Sequence, residues 1–230
     1  MEKIRIKELV EFRRKSDIRK KNFAFKLKTR QPKEVVKEED KGSSGDYWSI
    51  STYCIYNVFK DRNRDLYDSK IEEFQAKLKN TELATNTQGM YKQNIDIMTN
   101  FKDFDFSDIR PSKITKFETV HKANKIFTID NLPLFINPSL VFSHERNGKN
   151  EIGALWLVPL IKGFSKPELG IFCEILYRFM IKNYSDKYQI SPDYCIAVDT
   201  FLAQKVVYTD LLNNEIPFLV DKTIKEIKEL

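Results

Sequence analysis

The order of apolar runs and turn signals between Lys125 and Leu211 constrains this chain more than any other feature. Lys125–Ile129 reads as a strand. A long apolar run, Leu132 to Phe142, leads into the dipeptide Asn147-Gly148, whose residues both tolerate the left-handed backbone of a tight hairpin. A second run, Glu151 to Leu157, follows. Phe135–Phe142 and Glu151–Leu157 are therefore expected to pair as antiparallel strands across that turn. Ser165-Lys166-Pro167-Glu168 has helix-start chemistry, a cap residue with Pro and Glu in the first turn. Leu169, Phe172, Leu176, Phe179 and Met180 then stripe one helical face. Asp193–Asp199 reads as a buried strand and Lys205–Tyr208 as another. Asn213-Asn214 marks a turn, and Phe218–Leu230 a closing helix. The class is α/β, with a mixed central sheet of four to five strands flanked by helices and a helical N-terminal region.

The N-terminal part divides into two. Residues 1–46 hold an amphipathic helix over Met1–Arg14 and then a basic run. Arg13, Arg14, Lys15, Arg19, Lys20, Lys21, Lys26, Lys28 and Arg30 stand against the single acid Asp17. Phe23, Phe25 and Leu27 alternate with Ala24, Lys26 and Lys28, the period of a half-buried strand. Gln31–Asp46 is polar and ends in Lys41-Gly42-Ser43-Ser44-Gly45, which reads as a flexible loop. Residues 47–112 form a helical region, with helices expected over Tyr47–Phe59, Ser69–Leu83 and Gln88–Phe101. Pro111 ends it after the acidic-aromatic stretch Asp103–Asp108, where Phe104 and Phe106 anchor the loop in the core. Residues 113–230 form the α/β core.

Composition narrows the chemistry. The net charge is +6 and the pI about 9.0, which suits an anionic partner. Lys outnumbers Arg, and Lys, Asn and Ile are abundant, as in proteins of AT-rich bacterial genomes. Cys54, Cys173 and Cys195 lie far apart in apolar surroundings and read as buried thiols of a reducing, cytoplasmic compartment. Two histidines, His121 and His144, do not make a zinc site. There is no apolar run of membrane-span length, no Gly-rich phosphate loop and no nucleophile elbow. The basic run supplies the candidate nucleic-acid contacts, with Phe23 and Phe25 as base-stacking surfaces. The partner expected is DNA or RNA, or a protein.

The order helix, three strands, helix, strand resembles the PD-(D/E)XK nuclease superfamily, its RecB-like branch in particular, over roughly the last 110 residues. The resemblance implies an Asp after a Pro near the second strand and an E-x-K tripeptide across the hairpin, together holding Mg²⁺. This chain has Pro138-Ser139 at the first place. At the second it has Glu151-Ile152-Gly153 or Ala154-Leu155-Trp156, according to register. The branch also carries Q-x-x-x-Y on the next helix, where this chain has Cys173 and Tyr177. The leading expectation is a non-catalytic, degenerate nuclease-fold protein without a metal or other cofactor, and the resemblance implies bacterial antiviral defence or a mobile element as its setting. One alternative is an active nuclease whose displaced ligands Glu151, Asp199 and Lys162 work with Mg²⁺. Another is a pure protein-interaction subunit.

Overall fold

The computed structural model describes residues 2–31 and 48–230; the loop expected over Lys41–Gly45 lies outside them. The elements in chain order are β1 (Ile4–Arg5), α1 (Ile6–Arg13), α2 (Asp17–Thr29), α3 (Ser49–Asp61), α4 (Asp65–Leu78) and α5 (Thr85–Lys102). There follow β2 (Ile114–Glu118), β3 (Ile126–Ile129), β4 (Leu132–Phe135), β5 (Leu140–Arg146) and β6 (Lys149–Val158). The chain closes with α6 (Lys166–Tyr184), β7 (Gln189–Asp199), β8 (Gln204–Val207), α7 (Tyr208–Leu212) and α8 (Val220–Glu229).

The central sheet has the order β2-β5-β6-β7-β8, and only the β6–β7 pair is parallel, the two strands being joined through α6. Strand alternation sends side chains to two cores. Val141, Ile152, Ala154, Trp156, Val158, Cys195 and Ala197 face the layer of α1, α2, α6 and α8. Leu140, Phe142, Leu155, Leu157, Ile196 and Val198 face α3, α4 and α5. The fold is thus mixed α/β with helices on both faces of the sheet.

The hairpin turn is as expected: Asn147 and Gly148 have φ of 55° and 72°, and the strands pair from Leu140↔Leu155 to Arg146↔Lys149. The helix after it starts as expected, with the Ser165 N–H donating to Glu168 Oε2 at 2.8 Å. Phe106 is buried and its ring meets those of Phe59, Phe101 and Phe104, so the acidic-aromatic loop is anchored.

Three expectations are corrected. Phe23–Leu27 is not a strand but the middle of α2. Ser16 takes the extended cap conformation and Asp17 sits at the favoured end of the helix dipole. Ala24 and Leu27, three residues apart, are the buried positions, while Phe25 is 65% exposed. The period-2 pattern arose because Phe25 is a surface residue. Second, the apolar run Leu132–Phe142 is not one strand. It breaks at Ile136–Ser139, where Pro138 lacks an N–H for a ladder, and β4 joins β1 and β3 in a separate three-stranded sheet. Third, the first helix begins at Ile6; Ile4 and Arg5 pair in parallel with Leu134 and Phe135. One apolar cluster thereby takes in residues 4–27 together with 132–227, so residues 4–27 pack as part of the C-terminal core.

Candidate functional site

The break between β4 and β5 creates a cleft. Its floor is set by the β5–β6 register. The Ser139 N–H donates to the Leu155 carbonyl at 2.9 Å, and Ser139 Oγ accepts from the Leu157 N–H at 3.0 Å. The side chain at the Pro-Asp position of the nuclease pattern therefore serves as a strand-end acceptor, and the residues facing it are Leu155-Trp156-Leu157. Glu151 pairs with His144, at the other end of the hairpin.

Around this floor lies a cleft of about 710 Å³. Arg5 and Lys7 enter from β1 and α1, Ser49, Thr52, Tyr53 and Tyr56 from α3, and Asn137 and Pro138 from the break. Helical spacing explains α3. Cys54, Ile55, Val58 and Phe59 form its buried stripe, and Ser49, Thr52, Tyr53 and Tyr56 lie opposite. The Tyr53 and Tyr56 rings are parallel within 8°, their centroids 6.5 Å apart, and Tyr53 is 60% exposed. Lys7 Nζ donates to the Pro159 carbonyl at 3.4 Å, fixing a cation at the rim. Among the described residues the lining holds two cations and no carboxylate. Hydroxyls, an amide and cations do not fit Mg²⁺, which takes oxygen ligands with negative charge among them.

The three residues of the displaced-ligand alternative are not brought together. Glu151 is buried and held by Arg146 Nε at 3.1 Å and Nη2 at 3.0 Å, with His144 Nε2 at 3.3 Å. Arg146 also reaches Asp193 Oδ2 at 2.5 Å and Ser191 Oγ at 3.2 Å. Burial pushes the His144 imidazole below its ordinary pKa, against the opposing pull of the Glu151 carboxylate. Asp199 pairs with Val158, seven residues along β6 from Glu151, roughly 23 Å at strand rise. Its carboxylate accepts from the backbone N–H groups of Phe164 at 2.6 Å, Phe201 at 2.8 Å and Leu202 at 3.2 Å. It is a turn-holding residue. Lys162 is exposed, in a left-handed turn at φ 70°. Among the described residues no cluster of His, Cys, Asp and Glu could hold a metal ion. Tyr177 stacks on Tyr208 with centroids 3.7 Å apart, and Cys173 is buried, donating to the Cys195 carbonyl.

The basic run is partly consumed within the fold. Arg14 grips Glu168 through Nε at 2.6 Å and Nη2 at 2.7 Å. Lys20 pairs with Glu226 at 2.5 Å, and Arg30 with Glu8 at 2.6 Å and Glu2 at 3.0 Å. Arg13 donates to Thr223 Oγ1 at 3.1 Å and Lys28 to the Lys228 carbonyl at 3.5 Å. Lys15 lies 4.5 Å from the centre of the Phe23 ring. Arg19, Lys21 and Lys26 remain on the exposed surface of α2.

Arg5, Lys7, Tyr53, Tyr56 and Asn137 do not stand out as a group in the sequence. The one local signal was on α3, whose aromatics are too many for one buried stripe. No family model matches the chain, and no curated protein or solved structure matches it.

Proposed function

We propose that this protein binds single-stranded nucleic acid in the cleft between α1, α3 and the end of β6, without cutting it. The observation that carries the reading is the lining itself. Arg5 and Lys7 supply phosphate contacts and the parallel tyrosines Tyr53 and Tyr56 supply stacking faces, and among the described residues the lining has no carboxylate to repel a polyanion. The resemblance to the PD-(D/E)XK nucleases implies a metal site beside Pro138-Ser139 and the facing strand, and the lining of the cleft includes Pro138, Ser139, Trp156 and Leu157. Ser139 and Leu155-Trp156-Leu157 replace the acids there. Catalysis is thus lost in this reading while a backbone-binding groove is kept. A place in a bacterial defence or mobile-element system is the setting the resemblance adds.

The test is fluorescence anisotropy of a labelled oligonucleotide against wild type and the variant Arg5→Gln/Tyr53→Ala. Binding that is equal in Mg²⁺ and EDTA, and at least tenfold weaker in the variant, is expected. Equal affinity of variant and wild type would remove the cleft from the account. A second reading, a protein-interaction subunit, is favoured by Ile18 and Phe25 on α2. They lie seven residues apart on one helical face and are 82% and 65% exposed.

A further inference from the structure

A second pocket, of about 580 Å³, lies where the C-terminal ends of α3 and α5 meet the sheet, and it shares no lining residue with the cleft. Its wall carries Arg62, Arg64 and Arg110, with Ser107, Ser112 and Tyr194. Three guanidinium groups face one carboxylate, Asp105, whose two oxygens accept from the Ser107 N–H and Oγ–H, each at 2.8 Å.

All three guanidiniums are fixed by neutral carbonyl oxygens. Arg62 Nη2 donates to Ser112 at 2.7 Å. Arg64 donates to Lys102 at 3.2 Å and Phe104 at 3.0 Å. Arg110 donates through Nε to Phe59 at 2.6 Å and through Nη2 to Lys60 at 3.1 Å. The bonds from Arg64 to Lys102 and from Arg110 to Phe59 and Lys60 cap the ends of α5 and α3, where cations are favoured. They do not cancel charge. None of the three arginines forms an ion pair among the described residues, in contrast to Arg14, Arg30, Arg146 and Arg178. Arg62 keeps Nε and Nη1, and Arg64 keeps Nε, outside these bonds. Burial lowers the pKa of Arg110 and the neighbouring Arg62 charge adds to this, against the opposing pull of Asp61.

We propose that this pocket binds a phosphate-bearing small molecule, gripped by Arg62 and Arg64 beside the charge of Arg110, with Tyr194 as the wall for a planar group. Its volume suits a ligand of nucleotide size. Guanidiniums already held in place lose little freedom on binding, and their fork geometry matches phosphate oxygens. The site is independent of the cleft reading.

Calorimetric titration of the whole protein with inorganic pyrophosphate and with a nucleoside monophosphate, at low salt, tests it. Both should bind. Affinity should fall at least tenfold in Arg62→Asn/Arg64→Gln, Asn being chosen because it tolerates the left-handed backbone of Arg62, φ 60°. Lys26→Gln, which removes one charge from α2, should change nothing. Should the double variant fail to fold by circular dichroism, Arg64→Lys decides, since it keeps the charge and loses the fork; severalfold weakening is expected. No binding of either anion by wild type overturns the proposal. So does unchanged affinity in the folded arginine variant, or an equal loss in Lys26→Gln.

Discussion

Two carboxylates that sequence reasoning could enlist for catalysis have structural work instead. Asp199 satisfies three backbone N–H groups, those of Phe201 and Leu202 in the turn after β7 and the buried Phe164 N–H in the connection between β6 and α6. Asp199→Ala leaves those donors without a partner, and should lower stability by about 2 kcal/mol, read as a shifted denaturant midpoint with unchanged slope. Glu151 sits in the Arg146–His144–Asp193 cluster. There burial holds the His144 pKa below 6.5, the value taken by the unfolded chain. As pH falls through 6.5 the unfolded state therefore takes up the proton first, and stability falls until pH reaches the lowered folded value. One such proton changes the slope by at most about 1.4 kcal/mol per pH unit. His144→Gln should flatten the stability profile just below pH 6.5; an identical slope in the variant would contradict this account of the buried imidazole.

At the scale of elements, charge on α1 and α2 has two different jobs. Arg14 and Lys20 tie the N-terminal segment to Glu168 and Glu226, and Arg30 ties the end of α2 to Glu8 of α1, whereas Lys21 and Lys26 point to solvent. Arg14→Glu and Lys20→Glu should each lower the melting temperature, at a cost of about 1 kcal/mol. Lys21→Glu and Lys26→Glu should not, and equal effects from all four would deny the tethering role. The same scale shows what was legible in the sequence. β6 and β7 could be read because a central strand buried on both faces must be apolar throughout, and the Asn147-Gly148 turn because both residues tolerate positive φ. α6 announced its start through Ser165, Pro167 and Glu168. β1 was hidden because a strand of two residues carries no periodicity, and β4 was merged with β5 because the apolar run continues through Ile136 and Pro138 between them. α2 was misread because Phe25 is exposed where the pattern needed it buried.

For the whole molecule, the cleft exists only as a tertiary object. Residues 5–7, 49–56, 137–139 and 156–159 meet because β1 pairs with β4, α3 packs over β5, and Ser139 locks onto β6. No local pattern could assemble them, whereas the absence of an acid beside Pro138 could be read directly and still frames the function. The account's central claim is that single strands are held there rather than on the basic helix α2. Photocrosslinking of a 5-bromouracil-substituted single strand, mapped by mass spectrometry of the tryptic peptides, locates the contact. The account predicts adducts on Tyr53, Tyr56 or Trp156. Adducts confined to Phe23 and Phe25 would contradict it.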